Sequence, residues 1–210
     1  MNILVTGISS GFGKAILELN NKDFSIIGIT SKIKKTKSEN TFYYNEIDEL
    51  PLPETIILNA AIGDSGEHFY GLNSGEFEDI LNVNLVKPIS YLASLKNNNK
   101  LKNLEQLIII GSRFSSQSYI DSSEWEELPG YGYCISKVAL SLYCKILRKE
   151  NPLFSVNIVH PGILNTQLGN PSGFDCKQTA TELLHQIKNK TFLKNHNGIY
   201  DLQEQKLISF

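Results

Sequence analysis

A chain of 210 residues with 20 basic and 22 acidic side chains has a formal charge of -2, which leaves no footprint for nucleic acid or an anionic membrane. Its 41% hydrophobic content is that of an ordinary globular protein, and the length suits one domain over 1–210 rather than two. Cys134, Cys144 and Cys176 lack metal-ligand or redox spacing, no charged leader precedes the first apolar run, and no apolar run approaches membrane-spanning length; the expectation is a cytoplasmic protein whose partners are small molecules.

In chain order, Ile3, Leu4 and Val5 read as a buried strand running into Gly7, Gly11 and Gly13, a tight turn before a helix. Such a turn is a phosphate cradle, because glycine admits unusual backbone angles and close approach of a diphosphate, while unpaired amides at a helix start favour negative charge. It is equally the form of a plain structural bend. Residues 14–19 begin an amphipathic helix and 24–30 form a second strand, completing a βαβ unit with the glycine turn at its carboxyl edge. The end of strand two faces the adenosine ribose, where NAD binders place Asp or Glu. Here Thr30, Ser31 and Lys32 are followed by Lys34, Lys35 and Lys37, which favours NADP over NAD; the alternative is a solvated basic turn.

Residues 41–44 and 56–61 read as strands three and four, and Pro51 and Pro53 between them discourage a long helix. A glycine-bearing loop, 63–75, leads to a helix over 76–85, which Pro88 kinks or divides from a continuation towards Leu95. Strand five, 106–110, is followed by a long turn, 111–132, carrying Ser112, Arg113, Trp125 and the acidic Glu124, Glu126 and Glu127. A helix over 133–150, strand six over 155–159, a helix over 179–188 and a last strand near 198–202 complete the pattern. The alternation predicts a single-domain, Rossmann-type, doubly wound parallel α/β sheet of about seven strands with a shortened third crossover.

Tyr133 and Lys137 stand four residues apart and share one helix face. A free tyrosine titrates near pH ~10, so holding a phenolate at neutral pH takes about 4 kcal/mol of differential stabilisation. A nearby ammonium supplies part of that. By itself the spacing is also that of an ordinary helix-face pair.

With TGISSGFG at 6–13, LNAA at 58–61, NVNL at 82–85, Ser112 after strand five, YCISK at 133–137 and HPGILNT at 160–166, the chain resembles the classical short-chain dehydrogenase/reductase family over most of its length. The resemblance implies Tyr133 as general acid or base, Lys137 lowering its pKa and holding the nicotinamide ribose, and Ser112 orienting the substrate oxygen. Asn84 would hold a backbone kink and a water for a proton relay. Gly7, Ser9, Ser10, Gly11, Phe12 and Gly13 would line the diphosphate side, Asn59 and Ala60 would lie beneath the adenosine ribose, and Pro161, Ile163 and Thr166 would embrace the carboxamide. It further implies hydride transfer between a nicotinamide cofactor and a carbonyl or secondary alcohol, and dimers or tetramers through the helices of 76–95 and 133–150.

The chain departs from the family pattern in several places. Leu58 and Ala61 replace the asparagine and glycine of NNAG, Phe12 replaces a smaller aliphatic residue, and the gap from Ser112 to Tyr133 is long, which makes Ser115 and Ser116 rivals of Ser112. Only Asn45 or Glu46 can stand for the carboxylate that contacts adenine, and the substrate loop at 165–177 is short. His160 reads as a buried rather than a catalytic histidine, and His68, His185 and His196 form no metal cluster. Arg113 suits an anionic substrate, and Trp125 with Tyr119 and Tyr131 an aromatic lid, although surface packing accounts for them equally. A nucleotide-binding regulatory or scaffold protein that has lost turnover is the alternative function.

Overall fold

Neighbouring residues of the central strands face opposite ways, and each face has its own layer of helices. The computed structural model describes residues 1–31, 40–63, 73–123, 129–150 and 152–210. Strands β1 (Asn2–Thr6), β2 (Ser25–Thr30), β3 (Thr41–Tyr43), β4 (Thr55–Leu58), β5 (Gln106–Ile110), β6 (Ser155–His160) and β7 (Ile199–Asp201) run parallel in the order β3-β2-β1-β4-β5-β6-β7. Ile3, Val5, Ile57 and Ile108 pack on one face with α1 (Gly11–Leu17) and α6 (Cys176–Lys188). Leu4, Ile56, Leu107 and Ile109 pack on the other with α3 (Lys87–Asn97) and α5 (Tyr131–Lys149). This is the expected doubly wound sheet, with the order reversing between β1 and β4, where such sheets hold their ligands.

The sheet has eight strands where about seven are expected. The addition, β8 (Lys206–Ile208), pairs antiparallel with β7 at the edge. Three residues of mostly exposed side chain are too few to display a period-two pattern.

The third crossover is short, as Pro51 and Pro53 require: no helix lies between β3 and β4. The chain plugs the gap instead. Leu50, 3% exposed, enters the core, and Lys100 Nζ donates to the carbonyls of Asp48 at 2.9 Å and Leu50 at 2.8 Å. Tyr44 meets Tyr91 edge to face at 4.8 Å between ring centroids, closing the same corner.

Beyond β4, α2 (Ser74–Leu81) begins at Asn73, whose side chain accepts from the N–H groups of Gly75 and Glu76. It passes without a break through a π-helical segment, Asn82–Val86, into α3. In a regular helix the N–H of residue 88 would bond to the carbonyl of Asn84; proline has no N–H, and the chain slips to wider bonds, with Lys87 N–H closing on the Asn82 carbonyl. Pro88 therefore does not divide the helix: α2, the π-helical segment and α3 follow one another without a break.

The long turn is more ordered than a loop reading allows. Ser112 caps a 3₁₀ turn, Arg113–Ser115, and Ser116 caps α4 (Gln117–Ser122), each hydroxyl accepting a backbone N–H. Trp125 with Glu124, Glu126 and Glu127, the lysines at 32, 34, 35 and 37, and His68 lie outside the described residues.

Leu50 stands in for a missing helix, so Leu50→Ala should lower the unfolding free energy by about 2–4 kcal/mol, read from urea denaturation, with cooperativity retained.

Candidate active site

The glycine turn leaves β1 at Thr6 and bends at Gly7 (φ 73) and Gly11 (φ 55), left-handed angles that glycine adopts without strain. A Cβ on Gly7 would lie 2.6 Å from Ala60 Cα, and one on Gly13 2.4 Å from the Gly7 carbonyl oxygen, so the backbone itself forms the floor. Asn59 ties the exit of β4 to this turn: its side-chain amide donates to the carbonyls of Thr6 at 3.0 Å and Gly7 at 3.3 Å, and Thr6 Oγ1 accepts from the N–H groups of Asn59 and Ala60. Ser10 precedes α1 without capping it through its side chain. Phe12 is buried in the core under the turn and so packs inward. A cradle floored by glycine backbone at a switch point fits a dinucleotide diphosphate.

Across the cleft runs the segment after β6. Thr166 faces the glycine turn, its Cγ2 3.3 Å from where a Cβ on Gly11 would stand, and Leu168 Cδ1 reaches within 2.7 Å of a Cβ placed on Gly63. Pro161 is fixed from behind by Gln203, which donates to its carbonyl at 2.9 Å. Ile163 stands 46% exposed on the same segment. Beyond the carboxyl end of β2, Ser31 is exposed, and Glu46 accepts the N–H of Tyr43 at 2.8 Å.

The chemical groups gather beyond β4 and β5. Asn84, wholly buried in the π-helical segment, accepts from Ile62 N–H at 2.8 Å and donates to its carbonyl at 2.9 Å. It also donates to Ser136 Oγ at 3.0 Å, and that hydroxyl donates to the carbonyl of Tyr133 at 2.7 Å. Ser136, unmarked in the sequence beyond lying inside YCISK, is thus the link between Asn84 and the start of α5. Ser112 is buried, and its oxygen accepts Phe114 N–H at 3.3 Å, leaving the hydroxyl proton for another acceptor. Of its rivals, Ser115 is buried with its hydroxyl unpartnered among the described residues, while Ser116 is engaged with Ser118 and Tyr119.

Lys137 is 3% exposed, one turn after Tyr133 on α5. Its Nζ lies 5.6 Å from the centroid of the Tyr133 ring and donates to the carbonyl of Ile110, two residues before Ser112, at 2.9 Å. No carboxylate pairs with it among the described residues. Burial pushes the ammonium down to about 8. His160 is buried, as expected, and accepts from Arg113. Among the described residues no group of three His, Cys, Asp or Glu side chains is placed to hold a metal ion, and no helix is long and apolar enough to cross a membrane.

No protein-family model and no curated protein matches the chain. Solved structures do match. A short-chain dehydrogenase/reductase from Burkholderia multivorans with bound NADP aligns at a TM-score of 0.77 and 15% identity, over 100% of this chain and 99% of its own. Carbonyl reductase Sniffer of D. melanogaster aligns at 0.77 and 19%, and a carbonyl reductase from Pseudomonas aeruginosa PAO1 at 0.77 and 15%, each with the same two coverages. The chain has the short-chain dehydrogenase/reductase fold. The shortened third crossover is therefore built within a short-chain dehydrogenase/reductase scaffold of full extent, and the clustered Asn84, Ser112, Tyr133 and Lys137 stand on one side of its switch point.

The lowered Lys137 value has a stability signature. Below pH 8 the ammonium is charged in both folded and unfolded chains, and only the folded one bears its desolvation. Lys137→Met should therefore raise the melting temperature of the ligand-free protein at pH 7. The gain should shrink as pH rises from about 8 towards the unfolded lysine value of about 10.4. Melting curves of both proteins across that range check it.

Proposed function

We propose that this chain is an NAD(P)-dependent oxidoreductase, preferring NADP, that interconverts a carbonyl and a secondary alcohol on a small organic substrate. The observation that carries the reading is the buried, carboxylate-free Lys137 ammonium beside the Tyr133 ring, hydrogen-bonded to the strand end that leads to Ser112. The bound NADP of the B. multivorans structure and the two carbonyl reductases support the same chemistry here.

Gly7, Ser9, Ser10, Gly11, Phe12 and Gly13 hold the diphosphate, largely through backbone, over the floor made by Asn59 and Ala60. Pro161, Ile163 and Thr166 take the carboxamide end. Ser31 closes β2 with no carboxylate to repel an additional phosphate, which is the ground for NADP. A bound nicotinamide supplies or accepts the hydride. Tyr133 gives its proton to the developing alkoxide in reduction and takes it back in oxidation, while Ser112 donates a second hydrogen bond to that oxygen. The Lys137 ammonium favours the phenolate and holds the nicotinamide ribose. Asn84, through Ser136, fixes the first turn of α5 and so the reach of Tyr133.

The exposed Ile62, Ile163, Leu168 and Phe174 around the cleft suit a substrate with an apolar flank. On the outer face of α5, Ile135, Val138, Leu142 and Ile146 make an exposed apolar stripe at helical spacing, suited to a second copy of the chain in a homodimer or homotetramer. Cys134, Cys144 and Cys176 form no disulfide among the described residues, which accords with a cytoplasmic protein.

Tyr133→Phe should abolish NADPH-dependent reduction across a panel of carbonyl compounds, by at least about a hundredfold. Calorimetry should return unchanged NADPH affinity for the variant, tighter than for NADH. Unchanged turnover overturns the assignment, and NADPH binding without turnover in the parent protein makes the chain a nucleotide-binding regulator instead. Leu142→Glu should shift the protein to monomer in sedimentation while leaving NADPH affinity intact.

A further inference from the structure

Arg113 follows Ser112 directly, and its side chain turns back over the carboxyl ends of neighbouring strands. Its Nε donates to His160 Nε2 at 3.0 Å, at the end of β6. One terminal nitrogen lies 4.0 Å from Asp201 Oδ2, at the end of β7, and the other donates to the Tyr119 hydroxyl on α4 at 3.2 Å. His160 and Asp201 are register partners in the sheet, so a single guanidinium spans two adjacent strand ends and a helix. Asp201 is 1% exposed and its other oxygen accepts the N–H groups of Gln203 and Glu204, both at 3.0 Å. Nothing in this arrangement is a mobile surface pair.

The donor chemistry fixes the state of His160. Arginine only donates, so Nε2 accepts, the ring is neutral, and its proton sits on Nδ1. Nδ1 is buried without a partner among the described residues, which leaves Arg113 as the group that sets the tautomer. The charged groups facing the ring are Arg113 from the turn after β5, Lys137 from α5 and Glu204 from the turn after β7, with Asp201 joined through Arg113. Burial, then Arg113, then Lys137 push His160 down to about 3, against Glu204. A protonated His160 would set an N–H against the Arg113 N–H, and the strap would open.

A buried ion pair adds little net stability over apolar residues of the same volume; what it supplies is one geometry out of many. Here the geometry is that of the turn bearing the substrate-orienting hydroxyl. We propose that Arg113 is a positioning residue: its guanidinium straps the Ser112 turn to the ends of β6 and β7 and so sets the direction of the Ser112 hydroxyl. The proposal rests on the active-site reading of Ser112 and Tyr133 given above. Asp201 completes the strap from the β7–β8 hairpin, and Arg113 is occupied by protein groups rather than aimed at an anionic substrate.

The test uses the full chain with Arg113→Met, Arg113→Lys and Asp201→Asn. Arg113→Met should lower kcat about 30-fold with KM for NADPH within about twofold, and should add an acid limb to the kcat profile. Ring-proton NMR of His160 should be flat down to about pH 4 in the parent protein. In Arg113→Met the midpoint should move up while staying below the ordinary histidine value of about 6.5, because burial and Lys137 remain. Arg113→Lys keeps the cation and should restore part of kcat with a flat His160; Asp201→Asn should lower kcat without bringing on the titration. Parental kcat in Arg113→Met overturns the proposal, as does a parent His160 that titrates near pH 6. If Arg113→Met does not fold, parental kcat in both remaining variants overturns it equally. Absence of turnover in the parent defeats the active-site reading instead, and the NMR titration still decides the strap.

Discussion

The hydrogen bond from Lys137 Nζ to the carbonyl of Ile110 is the constraint around which the site is arranged. It brings an ammonium from α5 onto the end of β5 and buries it, and a buried charge tolerates few kinds of neighbour. A carboxylate would hold the charge firmly and cancel its field at the Tyr133 ring. No carboxylate pairs with it among the described residues, and the His160 ring, kept neutral by burial first and by Arg113 next, adds no charge of its own. The near cation, Arg113, is matched by Asp201 further along the sheet edge. The field that Lys137 presents to Tyr133 is thus left unopposed.

Two asparagines do for the connecting segments what strand ladders do for the sheet. Asn59 clasps the glycine turn, and Asn84 clasps both backbone groups of Ile62, so the exit of β4 is held at its start and a few residues later. A primary amide both donates and accepts, and it can close on a backbone unit as another backbone unit would. The cost is that Asn84, wholly buried, must be fully satisfied, which the Ser136 contact achieves. The π-helical segment turns Asn84 into this role, and Pro88 is its local cause.

Most of the sheet was legible because its strands are buried on both faces and read as unbroken apolar runs, from ILV at 3–5 to LIII at 107–110. The glycine turn and the Tyr133–Lys137 pair were legible because their chemistry needs fixed spacing. The short crossover was legible in two prolines. The helical turns after Ser112 were not, although Ser112 and Ser116 are both capping residues; six-residue helices give too little periodicity to stand out from a polar loop. Ser136, Asp201 and Gln203 could not be found, because their partners lie on other elements and only the fold brings them together. The inward packing of Phe12 was likewise decided by the core beneath it rather than by its motif.

The hairpin of β7 and β8 supports two separate walls of the cleft, through Asp201 on the Ser112 side and Gln203 behind Pro161. The glycine turn, by contrast, is tied to the exit of β4 through Thr6 and Asn59, and the hairpin takes no part in those bonds. Loss of the hairpin's two contacts would therefore loosen the Ser112 and Pro161 walls together while leaving the clasp on the glycine turn in place.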